Sequence, residues 1–392
     1  MSIAMSESLM TEVKDRPAYS PGLEGVIAGE SALCLVDEGE AGLLYRGYAI
    51  RDLAEHSTFE EVAYLLLFGH LPTQQELTEF STQWIDHAVL PRLLEVFLGS
   101  VPPGSHPMDL VRTGVSLLGM VDPDAADNSH DATIRKSVRL LAQIPLLIAI
   151  SYRLVNGKPP IRPQADLSFA ENLLYLLTDR KGDDQSKAMA RVLDVSLTLY
   201  AEHEFNASTF AARVTASTMT DLYSAVTSAI GTLKGPLHGG ANEAVAEMFL
   251  DIGSRERAEA WVRDALAKKR RIMGFGHRVL KKGDARSAII QQHAESLSGI
   301  CGDRRWYEIA TIVEHVMEQE KGLRPNLDFY TAASYLLMEI PRALYTPLFV
   351  CSRITGWCAH VIEQRDHNRL MRPRALYTGP PRREYVPLDR RT

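Results

Sequence analysis

Apolar residues recur at helical spacing in one segment after another of this chain, with only short polar breaks between them, and no other feature limits the fold as much. Residues 106–120, 133–155, 168–177, 187–203, 210–231, 255–271, 285–297, 306–321, 329–339 and 344–368 each read as a helix. Thr58 with Glu61, and Thr73 with Glu76, have the Thr-x-x-Glu spacing in which a hydroxyl and a carboxylate satisfy the orphan amides of a helix start. Only residues 23–36 and 42–50, rich in Val, Leu and Tyr and separated by the turn-like stretch 37–41, read as strands, and they predict a small hairpin. No strand alternates with the helices that follow, so the chain is predicted to be all-α rather than built on a parallel sheet. The tail from residue 372 to 392, rich in arginine and proline, reads as extended chain suited to wrapping a neighbour.

At 392 residues, 45% hydrophobic and 23% charged, the chain can bury a large core divided between two domains. Its formal net charge of -6 supplies no basic field, which argues against nucleic acid or a membrane surface as partner. An anionic ligand must then be held by a local group of Arg and Lys. Cys34, Cys301, Cys351 and Cys358 are scattered without a CxxC pair, as expected of small buried side chains in a reducing cytoplasm. The first 17 residues contain no apolar core of a secretory signal. The most apolar run, residues 140–150, falls well short of the ~20 residues needed to span a bilayer, and it reads as a core helix.

Three short strings carry chemistry. Residues 234–243 read K-G-P-L-H-G-G-A-N-E, placing His238 between a proline and two glycines, where a substrate can approach the backbone closely. Residues 273–286 read M-G-F-G-H-R-V-L-K-K-G-D-A-R, with His277 beside glycines and ahead of a cationic group. Residues 324–330 read R-P-N-L-D-F-Y, with Asp328 where a helix should begin. Taken singly, each histidine fits a loop-packing role and Asp328 fits an N-cap. Gly274-Phe275-Gly276 is a degenerate dinucleotide fingerprint with no strand before it.

In this order and spacing, the three strings resemble the citrate synthase family, including its 2-methylcitrate synthase branch. The likeness extends over residues 200–210, Y-A-E-H-E-F-N-A-S-T-F, and over the S-R-I-T-G-W of residues 352–357. It implies a two-domain helical fold: a large domain from residues 1–238 and 330–392, and a smaller one inserted at residues 239–329. It implies condensation of oxaloacetate with a short-chain acyl-CoA, followed by hydrolysis of the CoA ester. Asp328 would be the base, His238 would hydrogen-bond the thioester oxygen, and His277 would polarise the keto carbonyl. His203, Arg286, Arg353 and Arg372 would hold oxaloacetate, Arg372 reaching the neighbouring subunit of a homodimer. Arg271, Gly274, Gly276, Lys281 and Lys282 would meet CoA. Neither a metal nor a resident cofactor is implied.

Residues 105–119 and 202–210, with Phe205 and Phe210, look most like the methylcitrate branch, although acetyl and propionyl groups differ by one methylene, worth only ~1–3 kcal/mol in an apolar pocket. Two rival readings stand beside this one. His360, Glu363 and His367 share a helical face and could form the metal site of a hydrolase. A non-catalytic helical CoA-binding protein would instead have lost a catalytic position, yet all three are present.

Overall fold

The computed structural model describes residues 19–37, 42–276 and 284–392. It divides into two compact units. One comprises Ser31–Leu370; the other joins the chain ends, Met1–Glu30 and Met371–Thr392.

The larger unit begins with three short antiparallel strands in the order β1 (Cys34–Val36), β2 (Leu43–Tyr45) and β3 (Tyr48–Ala49). The predicted hairpin is therefore shorter than expected and gains a third strand. Arg46 and Gly47 both take positive φ, at 48° and 88°, which forms the tight turn that pairs Leu44 with Ala49.

Sixteen α-helices follow among the described residues. The first eight are α1 (Ile50–His56), α2 (Phe59–Phe68), α3 (Gln74–His87), α4 (Arg92–Ser100), α5 (Pro107–Val121), α6 (His130–Val155), α7 (Phe169–Thr178) and α8 (Asp184–Tyr200). Then come α9 (Ala207–Ser217), α10 (Leu222–Leu233), α11 (Ala241–Ile252), α12 (Arg255–Ala267), α13 (Ala285–Cys301), α14 (Arg305–Lys321), α15 (Leu327–Leu337) and α16 (Tyr345–Asp366). The all-α expectation holds, and both Thr-x-x-Glu boxes cap the helices they announce. The single helix expected over residues 210–231 is two. Met219 adopts a left-handed φ of 65°, and the Asp221 side chain then accepts the Ser224 amide to start α10.

The core is organised around α16, buried on nearly every side, which packs against α6, α8, α9 and α10. Gly356 lets α16 approach the end of α8: a Cβ there would lie 2.5 Å from the Ala201 carbonyl oxygen. Helix α6 is long and apolar enough to cross a membrane by length and composition, but 67% of its apolar window is buried against other helices, as a core helix requires.

Candidate active site

The last turn of α8 is the hub of the site. Leu199 O accepts from the Tyr45 hydroxyl at 3.3 Å and from Arg286 Nη1 at 3.4 Å, and Tyr200 O accepts from Arg353 Nε at 2.7 Å. Carbonyls at a helix C-terminus lack partners within the helix and carry the negative end of its dipole, so they can seat buried guanidinium groups. Four helix N-termini bring further residues: Ser208, Asn242, Arg286 and Asp328 are each the second residue of α9, α11, α13 and α15.

His238 sits in the turn between α10 and α11. Its amide bonds to Gly235 O and the next amide to Leu233 O, a path that leaves no room for a side chain at Gly239, where a Cβ would collide with Leu233 O. The ring Nε2 lies 3.3 Å from the Ser208 amide and 2.8 Å from the Ser208 hydroxyl. A backbone N–H can only donate, so Nε2 accepts and the ring proton resides on Nδ1. Burial, helped by nearby Arg353, lowers the His238 pKa to about 4 and keeps the ring neutral. Ser208 Oγ accepts from the Trp357 indole at 3.1 Å, and its single hydrogen is shared between His238 Nε2 and Asn206 Oδ1, each 2.8 Å away.

Replacing Ser208 by alanine should therefore lower kcat about tenfold through loss of one hydrogen bond of ~1 kcal/mol at the ring and looser orientation. KM for oxaloacetate should hold. The Tm should fall too, because the Trp357 N–H is left buried without its acceptor. Steady-state kinetics and thermal melts check both effects.

Asp328 is not the cap of α15. Asn326 takes that place, its side chain accepting the Asp328 amide at 3.1 Å, which leaves the Asp328 carboxylate available. Tyr200 donates its hydroxyl to Asp328 Oδ1 at 2.5 Å. Asp328 keeps part of its surface open, yet its surroundings are poor in solvent; that desolvation raises its pKa above the ordinary carboxylate value, opposed by Tyr200, Arg286 and Arg353.

The arginines differ in their partners. Arg286 is paired through two 2.9 Å bonds with Asp284. Burial alone would lower its pKa, but the Asp284 carboxylate raises it. Arg353, 2% exposed, bonds the Tyr200 carbonyl and stacks 4.7 Å from the Phe349 ring centre. None of the ion pairs among the described residues involves it. Burial lowers its pKa, and Glu202, the carboxylate that acts on it from a distance, is bonded to His360. Phe349 joins the site together, its ring 4.5 Å from Tyr200 and 6.2 Å from His238. His203 is buried just beyond α8.

The second and third strings are physically joined. Asn326 donates from its backbone to Gly274 O at 2.9 Å and from its side chain to Gly276 O at 3.2 Å. Gly274 has φ 82°, and a Cβ there would lie 2.7 Å from Phe329, so only glycine fits. Arg271 is exposed, and Arg372 is exposed in the terminal unit. His277, Lys281 and Lys282 lie outside the described residues.

The rival metal set does not assemble. His360 Nδ1 accepts from Arg213 at 2.9 Å, so its Nε2 donates to Glu202; Glu363 takes Arg213 at 2.5 Å and the Ala32 amide at 2.7 Å. His367 is exposed beyond the end of α16, and no group of three metal-binding side chains occurs among the described residues.

Tyr200, Ser208, Asn242, Asp284 and Phe349 are the site residues that sequence reasoning passed over. Tyr200 and Ser208 fall inside residues 200–210, Asn242 inside residues 234–243 and Asp284 inside residues 273–286, all strings that resembled the family, and that membership was the signal available; Phe349 lies in none of them.

The fold gathers a neutral histidine, a desolvated carboxyl group and buried arginines around one aromatic ring, an arrangement suited to a helical enzyme with a small anionic substrate. The family model for the citrate synthase C-terminal domain matches residues 22–374. Citrate synthase 2 of Bacillus subtilis is 44% identical over 371 residues, covering 94% of this chain and 98% of that protein. A 2-methylcitrate synthase of Shewanella oneidensis is 45% identical, covering 94% and 97%. The citrate synthase of Thermoplasma acidophilum, solved in ternary complex with carboxymethyl coenzyme A and oxaloacetate, superposes with a TM-score of 0.86 at 34% identity, covering 95% of this chain and all of that one. The chain belongs to the citrate synthase family, acyltransferases that condense oxaloacetate with an acyl-CoA.

Proposed function

We propose that Asp328 removes the α-proton of the acyl-CoA while His238, through Nδ1–H, donates a hydrogen bond to the thioester oxygen as the enol forms. An α-proton next to a thioester is weakly acidic, so a base and an enolate stabiliser must act together. His277 polarises the keto carbonyl of oxaloacetate, whose carboxylates are held by His203, Arg286, Arg353 and Arg372. Planar guanidinium groups suit carboxylates because two parallel hydrogen bonds form at once. Arg372 comes from the second subunit of a homodimer with shared sites, in the cytoplasm. Arg271, Lys281, Lys282 and the backbone at Gly274 and Gly276 bind CoA, and the segment 239–329 closes as a smaller domain once oxaloacetate is bound.

One observation carries the reading: the Phe349 ring touches Tyr200, His238 and Arg353, so the base's neighbour, the enol stabiliser and a buried cation surround one side chain. The test is release of free thiol on mixing oxaloacetate with acetyl-CoA and, separately, propionyl-CoA. Release with both is expected, with specificity constants differing by no more than roughly 200-fold, the worth of one methylene. No release with either, from folded protein, overturns the reading.

A further inference from the structure

We infer that Tyr200 is the positioning residue of the base: its hydroxyl, oriented by Asn242, holds Asp328 Oδ1 and keeps the desolvated carboxylate ionised with Oδ2 turned to the substrate. The inference rests on Asp328 being the base. Asn242 Nδ2 lies 3.1 Å from the Tyr200 hydroxyl oxygen. An amide nitrogen brings only hydrogens, so it occupies the hydroxyl as an acceptor, and the single hydroxyl hydrogen is left for Asp328 Oδ1, 2.5 Å away. The hydrogen bonds to this carboxylate among the described residues engage Oδ1 alone.

The tyrosine cannot swing away. It is the last residue of α8, is buried, packs against the tilted Phe349 ring, and its carbonyl is held by Arg353. Burial and the neighbouring Asp328 raise its own pKa well above the ordinary phenol value, so it donates at every working pH.

The arrangement resolves a conflict. Desolvation makes a carboxylate a stronger base but favours its protonated form, which cannot accept a proton. A hydrogen bond to the ionised form restores the charge without letting water in. When the α-C–H bond breaks, the proton forms an O–H bond at Oδ2 and the electron pair passes into the enol system, leaving Oδ1 on Tyr200 throughout.

The groups acting on Asp328 are Tyr200 from α8, Asp284 and Arg286 at the start of α13, and Arg353 from α16. Asp328 in turn acts on Tyr335, two turns along α15. Asn242 on α11 is uncharged, and Glu314 on α14 bonds Tyr330 instead.

The experiment is the pH profile of kcat for Tyr200→Phe, which keeps the ring and removes only the hydroxyl. Loss of a hydrogen bond to a charged acceptor should move the acid limb up by about one pH unit, so that activity on that limb falls roughly tenfold while KM for oxaloacetate stays within about twofold. Asn242→Ala should shift the limb the same way by less, and it carries the test if Tyr200→Phe fails to fold. A limb that coincides with wild type in the folded variant overturns the inference, whatever happens to the rate, because a merely structural residue lowers kcat equally at all pH values. Asp328→Asn separates the two levels: retained condensation removes the base itself, whereas lost condensation with an unshifted Tyr200→Phe limb removes only the role of Tyr200.

Discussion

Replacing Asp328 by asparagine should leave a protein that binds oxaloacetate and no longer condenses it, with kcat down by about a thousandfold, within the range that positioned general bases contribute. Asparagine keeps the size of the side chain, and its carbonyl can still accept from Tyr200. The amide that Asn326 caps belongs to the backbone and is unaffected. Neither Arg286 nor Arg353 loses its hydrogen-bond acceptors, so a dicarboxylate should still raise the Tm of the variant. The same substitution should change stability with a definite sign. A carboxyl whose folded pKa is raised stabilises the fold fully below its unfolded pKa, near 4, and loses that contribution as pH rises through the folded value. Asparagine has nothing to ionise. The variant should therefore melt above wild type at pH 8, with the margin shrinking as the pH is lowered. Thiol release and melting curves with and without oxaloacetate check the two halves; lost oxaloacetate binding would make Asp328 a structural residue.

The helices and the three strings were legible in the sequence because both are local. Periodicity gave α6 and α16, and glycines beside His238 marked a turn that only glycine can make. What was hidden depends on partners far apart in the chain. Tyr200 meets Asp328 across 128 positions, and Ser208 meets His238 across 30. Ser208 and Asn242 look like ordinary second residues of a helix, and only the convergence of their helix starts with those of α13 and α15 brings them beside Arg286 and Asp328. Capping illustrates the limit most clearly. Asn326 and Asp328 are both good caps by residue type, and spacing alone cannot choose between them. Asn326 caps α15 because the Gly274–Gly276 backbone also holds it, and that choice leaves the Asp328 carboxylate to accept from Tyr200. The split between α9 and α10 was missed for a related reason: the left-handed Met219 is a conformation its residue type does not announce.

Replacing Arg353 by methionine should weaken oxaloacetate binding by about a hundredfold or more while leaving the ligand-free protein as stable as wild type, or more so. Arg353 is a cation in the core of α16, with the Tyr200 carbonyl and the face of Phe349 as its contacts and no ion pair among the described residues. Burying a charge without a nearby opposite charge costs stability, and replacement of buried charged groups by apolar residues of similar size is often neutral or stabilising. The lowered pKa of Arg353 has that origin, with Arg286 adding repulsion. Ligand binding reverses the balance, since a carboxylate supplies the missing charge in a dry site, and losing such a charge-assisted pair costs about 2–5 kcal/mol of affinity. Arg286 behaves differently because Asp284 already neutralises it: removing its guanidinium takes the opposite charge away from a buried carboxylate, although the Arg286 and Leu327 amides still donate to it, and should destabilise the empty protein. The contrast makes the assignment testable in one set of melting curves. Arg353→Met should lose the upward Tm shift on adding oxaloacetate without losing the baseline Tm, whereas Arg286→Met should lose the baseline itself. A lower baseline for Arg353→Met with an undiminished oxaloacetate shift would instead make Arg353 a structural tie between α16 and α8.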